Sequence, residues 1–382
     1  MKFTHINLTK NINIEYPIFK KSNKGWINYD VRNDFPDRIL KLNRESSLNK
    51  SILDNKITYV CGNGIDNDNE NYYGLPNLSD TWNNFIFKIS HDFITFGGAC
   101  FQVILNENKT NVSLYHTDFS KVRCGEYDQF GKVLNYYISN DWSKTTGKLE
   151  PIKIQAWGVS TPESGKAYLY YFFPYESGLQ FYPIPSYYSA IRYIEADIAL
   201  SKFYHNQTVH SFPINYVISL GQNPSDEQKI VFEKEFNENF NNPEGETFII
   251  IWNENNEINK PVITPITASH NVDLYNTTLE LIEKKICTAN RLTSNTLAGV
   301  QGRSTNSYNN AEVVVSYIIY SKTVLEPIRN QILSNINQFT ILNGFPKIRI
   351  KNLDIIEDIK NSASFTQSID VSKNEGKKEE NK

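Results

Sequence analysis

The chain has 382 residues, of which 40% are hydrophobic and 21% charged, and carries a net charge of −3. That length and balance predict a globular body of two or three domains with a substantial core, and they exclude a low-complexity chain. No run of about twenty apolar residues occurs, so no membrane span is expected.

The opening MKFTHINLTKNINIEY lacks the apolar core of a secretory leader, and a cytosolic product is expected. Static binding of nucleic acid demands a basic excess, because phosphate neutralisation supplies most of the affinity. Here 39 Lys and Arg face 42 Asp and Glu. The chain either ignores nucleic acid or handles it without holding tightly. Cys61, Cys100, Cys124 and Cys287 are far apart with no CxxC pair, which reads as buried reduced thiols and predicts no metal site.

After an extended start, RNDFPDRILKLNRESSLNKSILDNKITYVCGNGI carries Ile39, Leu40, Leu42, Leu48, Ile52, Leu53, Ile57 and Val60 at helical intervals, ended by Gly62 and Gly64. SDTWNNFIFKISHDFITFGG repeats the plan. Ser79 or Asp80 caps, Trp82, Phe85, Ile86, Ile89 and Phe93 form the stripe, and Gly97 stops it. ACFQVIL follows as a strand, and VSLYHT, KVLNYYIS, IKIQAWG and LYYFF are short β-type runs separated by turn residues. This first part is α+β.

A third helix is predicted in IPSYYSAIRYIEADIALSKFYHNQTVHSF, with Ser186 or Ser189 as cap and Ile191, Ile194, Ile198 and Phe203 on one face. PINYVISLG and ETFIIIWN read as strands around a helix that opens with a capping box from Ser225 to Gln228. The extended KPVITPITA leads to a helix over about Asp273 to Leu292. On it Leu274, Thr278, Leu281, Ile282, Ile286 and Ala289 share a face, while Glu280, Lys284, Cys287 and Arg291 lie opposite. A mixed polar face of this kind is ordinarily just solvated.

Next, LAGVQGRSTNSYNN sets a polar, glycine-spaced loop between two helices. The last helix runs through EVVVSYIIYSKTVL, kinks at Pro327 and continues as IRNQILSNINQF. KIRIKNL is a closing strand, and from about Asn361 the composition predicts a disordered tail.

Acid–base partners sit close in sequence only at His91–Asp92, His116–Asp118 and His270–Asp273. No HExxH helix, GxSxG elbow or GxxxxGK[ST] loop is present, and His205 and His210 read as structural. No catalytic residue, cofactor or metal is expected.

The order of these parts resembles the portal proteins of tailed double-stranded DNA bacteriophages. The likeness is carried by WINYDVRNDFPDRILKLNRESSLNKSILDNKITYVCGNGI, by FGGACFQVI, and by IPSYYSAIRYIEADIALSKFYHNQTVHSFPINYVISL, and it covers about Trp26 to Leu353. It implies an α+β wing (1–185), a first stem helix (186–211), a small α/β clip insert (212–268) and a second stem helix (269–296). A tunnel loop (297–309), a long kinked wing helix with a closing strand (310–353) and a C-terminal tail (354–382) complete it. So little follows Leu353 that a large helical crown is not expected.

The resemblance further implies a homo-oligomeric ring, a dodecamer, at one capsid vertex of the virion, assembled in the host cytoplasm. Its partners would be the major capsid protein, a head–tail adaptor, and a separate ATP-hydrolysing terminase docked at the clip. Double-stranded DNA would pass through during packaging and ejection. Gln301, Gly302, Arg303, Ser304, Thr305 and Asn306 would line the channel, and Glu280, Lys284 and Arg291 would face either the channel or a neighbouring subunit. The alternatives are another head–tail structural protein and a soluble nucleic-acid-processing enzyme.

Overall fold

The computed structural model describes residues 19–67, 69–108, 110–129, 131–147, 150–209, 215–220, 225, 227–232, 234, 248–252, 262–266, 272–299 and 310–353. The chain divides into two compact units: one formed by residues up to Ala190 and from Cys287 onward, the other by Ile191–Ile286.

The first unit opens with an antiparallel ladder of β1 (Phe19–Lys21) and β2 (Ile27–Tyr29). The apolar stripe that follows suggests one helix but forms two, α1 (Phe35–Glu45) and α2 (Ser47–Cys61). Ser46 takes an extended conformation between them, and its Oγ accepts the amide of Asn49 at 3.2 Å. A serine that satisfies an orphan amide in this way starts a new helix even where the stripe keeps its phase.

After a single turn, α3 (Glu70–Tyr73), comes α4 (Trp82–Phe96). Its cap is Thr81 rather than Ser79 or Asp80, whose amides are held instead by Asn77 Oδ1. Gly97 ends α4 at φ +88°, and a Cβ there would fall 2.4 Å from the Ile184 carbonyl oxygen, so only glycine fits.

Six strands follow: β3 (Ala99–Leu105), β4 (Val112–His116), β5 (Val122–Cys124), β6 (Asn135–Ile138), β7 (Ile152–Ala156) and β8 (Ala167–Phe172). They form one sheet in the order β4-β3-β8-β7-β6-β5, antiparallel except for the parallel β7–β8 pair. β5 was not predicted. It is short, and its central Arg123 is fully buried. The guanidinium donates to Asn33 Oδ1 (2.6 Å) and to the carbonyls of Asn33, Ser120 and Val122, and it lies over the Trp142 ring at 4.8 Å. Neutral acceptors thus meet a buried cation, which burial holds below its ordinary pKa.

The unit is completed by α8 (Asn310–Tyr320) and α9 (Glu326–Leu342), separated by a π-type turn at Ser321–Leu325. The core gathers around Phe101 of β3. Its ring meets Phe85 of α4, Tyr170 of β8 and Phe339 of α9 at centroid distances of 5.6, 5.2 and 5.4 Å. Burying each such ring contributes about 1.5–3 kcal/mol, so the last helix is part of the same core as the first strands. The unit is therefore mixed α+β.

The second unit holds α5 (Ile191–Val209), β9 (Asn215–Leu220), a helical stretch at residues 227–232 (α6), β10 (Phe248–Trp252), β11 (Val262–Ile266) and most of α7 (Val272–Ala289). α5 begins at Ile191 after a 3-10 turn at Tyr188–Ala190, not at Ser186 or Ser189. The capping box forms: Ser225 N donates to Gln228 Oε1 at 3.2 Å, and Gln228 N donates to Ser225 Oγ at 3.5 Å. β9 pairs in parallel with β10 and antiparallel with β11, so the segment read only as extended closes a three-stranded sheet. Among the described residues no helix is long and apolar enough to cross a membrane.

Candidate functional site

Gln301, Gly302, Arg303, Ser304, Thr305 and Asn306 lie outside the described residues. The two ends of their loop are described, and both rest on α2. On the incoming side Ser294 caps a 3-10 turn, Asn295–Ala298, in which Leu297 and Ala298 are buried. Ser51 Oγ donates to the Ala298 carbonyl at 2.8 Å, while Asn55 Nδ2 and Tyr59 Oη reach the Leu297 carbonyl at 3.3 and 3.4 Å. On the outgoing side Val314, Tyr317 and Tyr320 of α8 are buried, and Tyr317 and Tyr320 set their ring edges against Tyr59. One helix therefore holds both feet of the loop.

Arg291 ties the feet together. α7 ends at Ala289, short of the predicted Leu292, and Arg291 sits beyond it in the left-handed region at φ +60°. Its Nη2 donates to the Thr323 carbonyl at 3.2 Å. That carbonyl stands four residues before Pro327, which has no N–H to offer it. The predicted kink at Pro327 takes the form of the π-type turn, in which the Glu326 amide reaches back to the Ser321 carbonyl. Arg291 thus fills an acceptor that the proline leaves open. Thr293 Oγ1 adds a second tie, to the Ser316 carbonyl at 2.7 Å.

Beneath this joint runs a buried chain of polar side chains. Lys56 Nζ donates to Asn290 Oδ1 (3.2 Å), Asn290 Nδ2 to Asn49 Oδ1 (3.2 Å), and Asn49 Nδ2 to Asn43 Oδ1 (2.8 Å). Asn43 Nδ2 donates to Tyr187 Oη (2.7 Å), and Tyr187 in turn to the Thr95 carbonyl (2.8 Å). Every one of these side chains is buried. Lys56 has no carboxylate among these partners, and burial first, then the charge of Arg291, brings its pKa down to about 8.

Glu280 and Lys284 are exposed on α7, in the second unit, whereas Arg291 belongs to the first. The structure does not bring the three together as one helical face. Cys287, read as part of that face, is buried, and Lys285, inside the apolar stripe, is exposed.

Of the acid–base candidates, Asp92 and His116, 24 residues apart, do meet: His116 Nε2 lies 2.8 Å from Asp92 Oδ2, which also accepts the Phe119 amide at 3.0 Å. Burial raises the Asp92 pKa against the opposing effect of His116. The pair ties α4 to β4, and among the described residues no group of three His, Cys, Asp or Glu could hold a metal ion. The polar chain left one trace in the sequence. Asn49 and Lys56 occupy stripe positions of α2, between Ile52, Leu53, Ile57 and Val60, where apolar residues are due.

Neither a protein-family model nor a curated protein matches the sequence. Solved structures share its fold. A chain of the virion of the native gene transfer agent (GTA) particle is 12% identical, with 87% of each chain covered and a TM-score of 0.52. A chain in the neck of the native GTA particle, computed with C12 symmetry, is 12% identical over 88% of each chain, at a TM-score of 0.53. One in the neck of the empty particle, computed with C6 symmetry, is 12% identical over 83% of this chain and 84% of that one, at 0.52. At that identity the likeness defines architecture, and it extends over nearly the whole of both chains.

Proposed function

We propose that this chain is a structural protein of a phage-type head–tail assembly, and within that class the portal subunit, a ring at one capsid vertex through which double-stranded DNA is packaged and ejected. The observation that carries the reading is the fold shared along nearly the full length with neck and virion chains, one of them in a map computed with C12 symmetry. In this reading residues 1–185 and 310–353 are the wing, 186–211 and 269–296 the stem helices, 212–268 the clip, and 297–309 the tunnel loop. Terminase docks at the clip, the head–tail adaptor and the major capsid protein are further partners, and ATP hydrolysis lies in another chain.

The electrostatics suit a conduit. A ring whose copies each offered several fixed cations to phosphate would hold the duplex in place, because such contacts sum. A chain of net charge −3 avoids that, and Arg303, once per subunit, supplies a single shallow belt. Gln301, Ser304, Thr305 and Asn306 add weak neutral contacts beside it. A closed ring also requires each copy to present two different complementary faces.

Mass photometry and negative-stain images of the purified protein test this reading. The expected particle is an annulus of about twelve 44.1 kDa chains. Particles of one or two chains at micromolar concentration, unchanged by added capsid protein, would reject it.

A further inference from the structure

A groove of about 570 Å³ runs between α9 and the segment that returns along it. Leu333, Ser334 and Ile341 line it from the helix, and Lys347, Arg349 and Asn352 from the returning chain. Its charge is unbalanced. Arg329 at one end is engaged elsewhere, donating to the Val60 and Tyr59 carbonyls that α2 leaves open at its C-terminus and to Asn352 Oδ1. Glu326, the one acid among the described lining residues, is paired with Lys322 at 2.5 Å. Lys347 and Arg349 are exposed and have no ion-pair partner among the described residues.

The returning segment already has one edge paired. The Asp66 amide donates to the Arg349 carbonyl at 2.9 Å and the Lys351 amide to the Gly64 carbonyl at 2.8 Å, around an antiparallel bridge between Ile65 and Ile350. In that pattern the amide and carbonyl of Ile350 itself point to the opposite edge. There Ile348, its neighbour in the pleat, is held by the Asn337 side chain. The groove thus offers two open cations, an apolar floor and a backbone edge. Such a combination suits an extended acidic–apolar peptide.

The chain carries such a peptide directly beyond this point. Residues 354–359, outside the described residues, read Asp-Ile-Ile-Glu-Asp-Ile, and they begin one residue past Leu353 and two past Asn352. Six extended residues reach ~20 Å, and the helix from Glu326 to Ile341 rises ~22 Å. We propose that residues 354–359 fold back into the groove of their own chain, carboxylates against Lys347 and Arg349 and isoleucines on Leu333 and Ile341. The tether of one or two residues gives the segment an effective concentration on the order of millimolar or more, so a weak match suffices. This inference does not depend on the portal reading.

Hydrogen exchange of the full-length chain, followed by mass spectrometry, tests it. Amides of residues 355–359 are expected to exchange at least tenfold more slowly than in the free peptide of that sequence. The K347E/R349E variant should lose this protection, and adding D354K, E357K and D358K to that background should restore it. Free-peptide exchange rates in the native chain, or protection indifferent to K347E/R349E, would overturn the proposal. Protection that vanishes on dilution would assign the groove to a neighbouring copy. Free-peptide exchange of the segment together with protection of the Lys347–Asn352 amides by a short DNA duplex would assign the groove to nucleic acid. Either result overturns the same-chain assignment.

Discussion

Lys56 holds an ammonium group at 3% exposure with an amide oxygen as its partner. Its proton is bound less tightly in the folded chain, pKa about 8, than in the unfolded chain, near 10.5. Between those values the unfolded state carries more protons at this site, so the contribution of Lys56 to stability rises with pH; below about 8 both states are protonated and the burial cost is present in full. At 1.36 kcal/mol per pKa unit that cost is about 3 kcal/mol. Buried Tyr29, Tyr171 and Tyr182, whose pKa values burial raises, act oppositely above pH 10, because they keep protons in the fold that the unfolded chain releases. Buried Cys61, Cys100 and Cys124, whose thiols burial raises above the ordinary 9.0, act in the same opposing sense from about pH 8, so the lysine is read from the difference between two proteins and not from one profile. In urea titrations Lys56→Met is expected to stabilise the protein by about 1–3 kcal/mol at pH 7, an advantage over the native chain that shrinks as pH rises from about 8 to 10. Parallel pH profiles for the two proteins would show that Lys56 is not the group responsible.

At the scale of elements, the joint between α7 and α8 rests on a reciprocal arrangement of Arg291 and Pro327. If the guanidinium is there because proline withholds a donor, giving residue 327 an amide should make the arginine dispensable. A double-mutant cycle of Arg291→Ala and Pro327→Ala, read at pH 9.5 where Lys56 is mostly neutral, is expected to show a coupling of about 0.5–1.5 kcal/mol. In it the arginine matters less once the proline is gone, and simple additivity would dismiss the arrangement.

Of this joint only the kink at Pro327 was legible in advance, for a physical reason. Five of the six strands of the sheet announced themselves as short apolar runs between turn residues, as in ACFQVIL and VSLYHT, and α4 through its stripe and Gly97. By contrast, Arg291 meets Thr323 across 32 residues and Lys56 meets Asn290 across 234, and no window of sequence contains both partners. Ser46 was hidden differently: α1 and α2 keep one continuous stripe, so the break lies in a hydroxyl and not in the periodicity.

For the whole molecule, the loop is separable from its supports. Ser51, Asn55 and Tyr59 hold Leu297 and Ala298, and Tyr59 faces Tyr317 and Tyr320, all of them positions outside 302–306. On the proposed portal reading, deleting Gly302–Asn306 is expected to leave ring formation intact while lowering the yield of packaged genomes at least tenfold. Full packaging by the deletion variant would remove the loop from the channel.

The first unit is also discontinuous, built from residues before 191 and after 286. Phe339 against Phe101 and Arg329 on the end of α2 both come from α9. At synthesis rates of about 5–20 residues per second, the earlier half waits on the order of ten seconds for its closing helix. During that interval the Phe101 cluster lacks one wall and the final carbonyls of α2 lack their cation. The nascent chain is then a natural client for chaperones, and the step that shields it from self-association waits until residues 326–342 have left the ribosome.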